Sequence, residues 1–207
     1  MEAIELAVFD VAGTTAKDDG LVVEAFTAAA VAMGVERETA QMSAMVDYVQ
    51  ATMGQRKIDV FLHLFDQNLE KAELAHEHFV QAYQDLTRQG ALEEFEGVSE
   101  MFHELRAQGI GIAITTGFPR EILDPIIDSL GWRELIDVSV AASEVAAGRP
   151  APDMILRSLE MYNLLTNGNY SVKNVVVLGD TMSDMQSGVA AGAPICLLYT
   201  SPSPRDS

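Results

Sequence analysis

Ile4-Glu5-Leu6-Ala7-Val8-Phe9-Asp10-Val11-Ala12-Gly13-Thr14-Thr15 is the stretch on which the reading of this chain turns. The mostly apolar run from Ile4 to Phe9 reads as a buried parallel strand, since a strand covered on both faces needs no polar alternation. The run stops at Asp10, and Gly13 supplies the tight turn that must follow. A carboxylate at the carboxyl end of such a strand stands where open α/β sheets hold their ligands. It can attack phosphorus or hold a metal there. It can equally do no more than cap the strand and the next turn. What stands further along the chain decides between these.

Downstream, Lys17-Asp18-Asp19-Gly20 reads as a polar turn. Helical patterns then run over 21–33, 36–52, 57–66 and 70–88, with no strand pattern between 21 and 90. A stretch of this length is a helical insert, not an ordinary crossover. The α/β alternation resumes near residue 97. It predicts helix 98–108, strand 110–116, helix 119–130, a short strand 136–141, a loop over 148–153, helix 153–163, strand 175–178 ending at Gly179-Asp180, and a small-residue helix to Gly192. This order predicts an α/β fold, a Rossmann-like doubly wound parallel sheet with right-handed crossovers. The chain contains no internal repeat.

Composition narrows the function. The 207 residues are 48% apolar, enough for a real core, and 31 acidic side chains face 13 basic ones for a net charge of −18. Such a surface argues against nucleic acid and against an anionic membrane surface as partners. A small anionic substrate stays open, because one site can differ from the whole surface. The N-terminus has no basic segment leading into an apolar one, no apolar run reaches membrane length, and the single cysteine fits a reducing compartment. The expected location is therefore cytoplasmic. The last twelve residues, from Cys196, resemble the in-frame translation of a sequencing-library adapter. On that reading the natural sequence stops near Ile195, 196–207 is disordered, and the missing final strand and covering helix leave the chain poorly soluble or inactive.

Four polar groups stand at the ends of the apolar strands or in the loops beyond. They are Asp10, Thr115-Thr116 with Gly117, Arg149, and Asp180 with Asp184. In a parallel sheet those ends share one edge, so residues far apart in sequence can meet. Three carboxylates converging on one point repel unless a cation lies among them, and Mg²⁺ takes few carboxylates plus water and a phosphate oxygen. Thr116 and the Gly117 N–H can donate to phosphate oxygens, and Arg149 can neutralise a phosphoryl group. Together they suit phosphoryl transfer, with one aspartate free to attack.

This motif order resembles that of the haloacid dehalogenase-like hydrolases over residues 1–195. The resemblance implies that Asp10 is the nucleophile, forming an aspartyl-phosphate. It assigns phosphate binding to Thr116, Gly117 and Arg149, and Mg²⁺ to Asp10, Asp180, Asp184 and the main-chain carbonyl of Ala12. It divides the chain into a hydrolase core, 1–16 and 93–195, and a helical cap, 17–92, that closes over the site.

Most phosphatases of the superfamily carry an aspartate two residues after the nucleophile, where this chain has Ala12. Phe9-Asp10-Val11-Ala12-Gly13-Thr14-Thr15 resembles instead the phosphonatase branch, the phosphonoacetaldehyde hydrolases, which cleave a carbon–phosphorus bond. In that branch a cap lysine forms a Schiff base with the aldehyde, so the carbon leaves as an enamine and no leaving oxygen needs a proton. Met53-Gly54-Gln55-Arg56-Lys57-Ile58-Asp59 matches the branch's lysine segment and makes Lys57 that residue. Two positions depart from the branch: Val60 replaces a histidine and Phe118 replaces a tyrosine. His63 is the histidine nearest in sequence to Val60, and a core or surface place for it is the plainer reading. The resemblance also allows a homodimer. Two other functions remain open at this point: a phosphatase acting on a small phosphorylated metabolite, and a phosphorylatable Mg²⁺-binding regulatory module.

Overall fold

The computed structural model describes residues 3–89 and 92–198. Strand β1 (Leu6–Phe9) lies at the centre of a five-stranded, wholly parallel sheet, as the apolar run from Ile4 predicts. On one side it pairs with β2 (Gly111–Thr116), which pairs in turn with β3 (Val138–Ala141). On the other side it pairs with β4 (Val175–Gly179), and β4 pairs with β5 (Ile195–Leu197). The order β3-β2-β1-β4-β5 reverses direction at β1, and such a switch point opens a crevice at the carboxyl ends of the strands.

Alternation along β1 sorts its side chains between two cores. Ala7 and Phe9 face the larger one, where Phe9 meets Phe102 edge-on at 5.2 Å and Phe102 meets Trp132 at 5.4 Å. Phe102 belongs to α5 (Val98–Ala107), and α6 (Arg120–Ser129) adds Ile122, Leu123, Ile126 and Ile127 to the same side. Leu6 and Val8 face the other core with Val140, Val175 and Val177, covered by Met154, Ile155 and Leu159 of α7 (Asp153–Thr166). Burial on both faces explains why these strands read as apolar runs.

Four helices intervene between β1 and α5: α1 (Leu21–Ala32), α2 (Ala40–Ala51), α3 (Lys57–Leu64) and α4 (Leu69–Gln89). Phe26, Phe61 and Phe79 clasp α1, α3 and α4 together, with ring centroids 4.5–6.0 Å apart. The helix expected over 36–52 starts later because Thr39 Oγ accepts from the Met42 N–H at 3.2 Å and caps it. The helix expected to run to 66 stops at Leu64, because Asp66 and Gln67 take left-handed backbone conformations. In the other direction, α7 continues past 163 to Thr166 and ends on left-handed Asn167.

One expectation needs correcting. The tail from Cys196, expected to be disordered, is not so at its start: Cys196 and Leu197 continue the sheet as β5, with Leu178 opposite Cys196 and Gly179 opposite Leu197. Ladder bonds are made by the backbone, so any extended apolar triplet can continue a parallel sheet. The strand is a thin edge, with all three side chains exposed. Residues 199–207 of the tail lie outside the described residues. Among the described residues, no helix is long and apolar enough to cross a membrane.

Candidate active site

Asp10 follows β1 directly, and its N–H donates to Leu178 O of β4 at 3.0 Å, so the sheet itself fixes its position. Thr15 Oγ donates back to Asp10 O at 2.8 Å and closes the turn beneath it. Within that turn Gly13 has φ +85°, and a Cβ there would lie 2.4 Å from Asp180 Oδ2. Only glycine meets both demands, the backbone angle and the close approach. Asp180 follows β4, the neighbour of β1, and accepts from Thr14 Oγ at 2.7 Å. Helix α8 (Met182–Ala191) opens with a reciprocal cap between Thr181 and Asp184. Asp184 Oδ2 accepts from the Thr181 N–H at 3.0 Å and from Thr181 Oγ at 2.5 Å.

These elements bring one carboxylate oxygen each from Asp10, Asp180 and Asp184 to within 4.8 Å of one another. Arg149 bridges two of them. Its Nη1 lies 2.6 Å from Asp10 Oδ1 and 2.9 Å from Asp184 Oδ1, while Nη2 donates to Thr115 Oγ at 2.7 Å. Burial is the main force pushing the Asp10 carboxyl up, from 3.8 to about 7; Asp184 and Asp180 push the same way and Arg149 opposes them. Burial also raises Asp180. Three carboxylates against one guanidinium leave the cluster negative, and hard oxygen donors in that number suit a divalent cation such as Mg²⁺.

In front of the cluster is a cavity of about 180 Å³. Asp10, Asp180, Thr116 and Lys57 contribute to its wall, and the sheet and the helical segment both take part. Lys57 is the first residue of α3 and only 4% exposed, and its ammonium lies 5.3 Å from the centre of the Phe118 ring. Burial lowers the amine to about 8, against the pull of Asp10 and Asp18 in the opposite direction. The contact that seats this lysine is very close. The Lys57 N–H donates to Gly117 O at 3.3 Å, and a Cβ on Gly117 would lie 2.3 Å from Gln55 O.

The Haloacid dehalogenase-like hydrolase family profile matches residues 7–198. The chain belongs to the haloacid dehalogenase-like hydrolases. Phosphonoacetaldehyde hydrolase of Bacillus cereus strain B4264 is 30% identical over 202 residues, spanning 91% of this chain and 73% of that protein. A phosphonoacetaldehyde hydrolase-like protein from Oleispira antarctica matches the structure with a TM-score of 0.75 at 23% identity, covering 93% of this chain and 71% of that one. CbbY from Rhodobacter sphaeroides, solved in complex with phosphate, matches with a TM-score of 0.76 at 20% identity, covering 97% of this chain and 89% of that one. These structural likenesses show that the fold is shared.

Within this haloacid dehalogenase-like hydrolase, the residues expected from the sequence do not all stand in the same relation to the cavity. Asp10, Ala12, Lys57, Thr116, Gly117 and Asp180 line it. Arg149 and Asp184 lie behind Asp10, and both oxygens of Asp184 are already engaged, Oδ1 in an ion pair with Arg149 and Oδ2 accepting from Thr181. His63 is elsewhere, exposed and stacked on Tyr48 with centroids 4.1 Å apart. Residues the sequence reading left unassigned also take part. Thr14 holds Asp180, Thr115 holds Arg149, Thr181 holds Asp184, and Asp18 lines the cavity. The threonines adjoin the motif residues, and that adjacency is the signal that could have found them. Asp18 reads as a plain turn residue, and nothing in sequence sets it apart from Asp19.

Proposed function

We propose that this hydrolase releases phosphate from phosphonoacetaldehyde or a closely related small phosphonate bearing an aldehyde. Asp10 is its nucleophile, and Lys57 activates the carbonyl. One observation carries the reading: a desolvated lysine, lowered to about 8, shares a small cavity with the aspartate that ends the central strand. An amine lowered to about 8 is more readily available in the neutral form than an ordinary lysine, and imine formation requires that form. The kinship with phosphonoacetaldehyde hydrolase over 91% of the chain supports the same reading.

In this scheme the neutral Lys57 amine adds to the aldehyde carbon, and water leaves to give an iminium. Asp10 then attacks phosphorus. The carbon–phosphorus bond breaks, and its electron pair forms the carbon–carbon double bond of an enamine, with the iminium nitrogen as sink. Because carbon leaves this way, Ala12 can stand where a general acid for a leaving alcohol would otherwise be needed. The enamine takes up a proton at carbon and is hydrolysed from Lys57, and water cleaves the phosphoryl group from Asp10. When bound, Mg²⁺ neutralises phosphoryl charge, held by Asp10, Asp180 and the Ala12 carbonyl, with Asp184 beside them. Thr116 and the Gly117 N–H bind phosphoryl oxygens. Arg149, which grips Asp10 from behind, aligns the attacking carboxylate and supplies positive charge beside it. The helical segment 17–92 acts as a cap that brings Lys57 to the site and excludes water.

Borohydride trapping tests this. With phosphonoacetaldehyde and Mg²⁺, a reduced adduct on the Lys57 peptide is expected, and Lys57→Arg gives no adduct and strongly reduced phosphate release. Phosphate release without any adduct in the unaltered protein overturns the imine route.

A second reading is a phosphatase of small phosphorylated metabolites, with Lys57 only orienting the substrate. The observation that favours it is the absence of any histidine from the cavity wall among the described residues, together with Phe118 on that wall. It predicts phosphomonoester turnover that survives Lys57→Arg.

A further inference from the structure

Forming an imine moves protons as well as a bond. The amine must give up a proton before it attacks, and the carbinolamine hydroxyl must gain one before it leaves as water. A positioned acid–base group typically accelerates such steps by about 10²–10⁴-fold. Among the described residues, the cavity wall carries four ionisable side chains: Asp10, Asp180, Lys57 and Asp18. Asp10 is held by Arg149 and Asp180 by Thr14, both on the phosphoryl side. Asp18 is the wall carboxylate outside the acidic cluster.

Asp18 sits at the entrance to α1. Its Oδ1 accepts from the Val22 N–H at 3.2 Å and its main-chain carbonyl accepts from the Leu21 N–H at 2.8 Å, so the side chain is anchored. Asp18 and Lys57 each act on the other's titration through their opposite charges. The other groups that bear on Asp18 are its neighbour Asp19, and the buried phenol of Tyr83 on α4, which Asp18 helps to keep protonated. Burial raises the Asp18 carboxyl, while the Val22 N–H and Lys57 oppose the rise. A raised carboxyl is better able to donate a proton near neutral pH.

Resting on the imine reading above, we propose that Asp18 is the acid–base group for Lys57. Across the shared cavity and through one intervening water, its carboxylate takes a proton from the Lys57 ammonium, freeing the amine to bond to the aldehyde carbon. After the carbinolamine nitrogen passes a proton to its own oxygen, Asp18 returns the first proton to that hydroxyl, and water departs. The sum is an ammonium plus an aldehyde giving an iminium plus water, with Asp18 regenerated.

The test compares Asp18→Asn with the unaltered protein in the borohydride trap, using phosphonoacetaldehyde across pH. Asparagine can still accept from the Val22 N–H, so a mere capping role survives the change. The expected result is trapping and turnover slowed by about 10²-fold, loss of the lower-pH limb of the trapping rate, and an unchanged melting temperature. Trapping at the original rate and with the original pH profile overturns the role of Asp18 and leaves the imine route standing. Slower trapping with the pH limb retained and a lowered melting temperature also overturns it, since the defect is then structural. If the unaltered protein forms no adduct, the imine reading itself has failed, and the role of Asp18 falls with it.

Discussion

Arg149 donates from Nη1 to Asp10 Oδ1 at 2.6 Å, and both side chains are almost sealed from solvent. The pair is not isolated: the same nitrogen lies 2.9 Å from Asp184 Oδ1. A single guanidinium thus holds apart two carboxylates that would otherwise repel in a dry interior. Arg149→Met leaves those charges without their partner, and removing one member of a buried ion pair costs about 3–5 kcal/mol. Urea unfolding of the variant should show a loss of that size in chelator, with part of it recovered on adding Mg²⁺. Equal stability of the two proteins in chelator would contradict this account.

Asp10 makes metal-free stability depend on pH, and the sign follows from its shift. Its folded value lies near 7 and its ordinary value near 3.8, so between these the folded state binds more protons than the unfolded one. Stability contributed by this group is therefore present below pH 4 and is lost as pH rises towards 7. Asp10→Asn removes that dependence. In melting curves recorded with chelator, the variant should gain on the unaltered protein across this window by a few kcal/mol. Phosphate release should be absent from the variant at every pH.

Lys57 gives a second pH signature on the alkaline side. Its amine titrates near 8, and only the neutral form attacks an aldehyde. The rate of borohydride trapping should climb with pH in two steps, the lower set by Asp18 and the upper by Lys57, and level off above about 8. Lys57→Arg should lower phosphate release from the aldehyde phosphonate by about 10³-fold or more. A residual rate close to the original would point to the phosphatase reading.

Gly117 tests whether the close approach of the helical segment matters to the site. A methyl group there meets Gln55 O at 2.3 Å and Gly54 O at 2.8 Å, so the backbone next to Lys57 must retreat. A displacement of about 1 Å at a reacting group can cost about 10²-fold in rate. Gly117→Ala should therefore lose trapping at Lys57 while retaining its helical circular dichroism and its melting transition.

The sequence alone determined the first four strands of the sheet and the positions of its functional ends. Apolar runs buried on both faces are legible without tertiary information, and Asp10, Thr116 and Asp180 each lie at the end of one. The resemblance of residues 53–59 to the lysine segment of the phosphonatase branch also singled out Lys57, though nothing local shows that this lysine is buried. Tertiary structure decided that. Phe118, just beyond the end of β2, and Lys57 from α3 meet only because glycine at 117 lets two backbones touch. The same holds for Arg149, whose hold on Asp10 and Asp184 from behind the cavity depends on strand order and loop path rather than on its neighbours in the chain. Asp18 and Asp19 are identical side by side in sequence, yet the entry angle of α1 places Asp18 on the cavity wall and leaves Asp19 exposed. Strand pattern is a property of consecutive residues, whereas desolvation and charge pairing belong to whatever the fold brings near, and so these last assignments came from the structure.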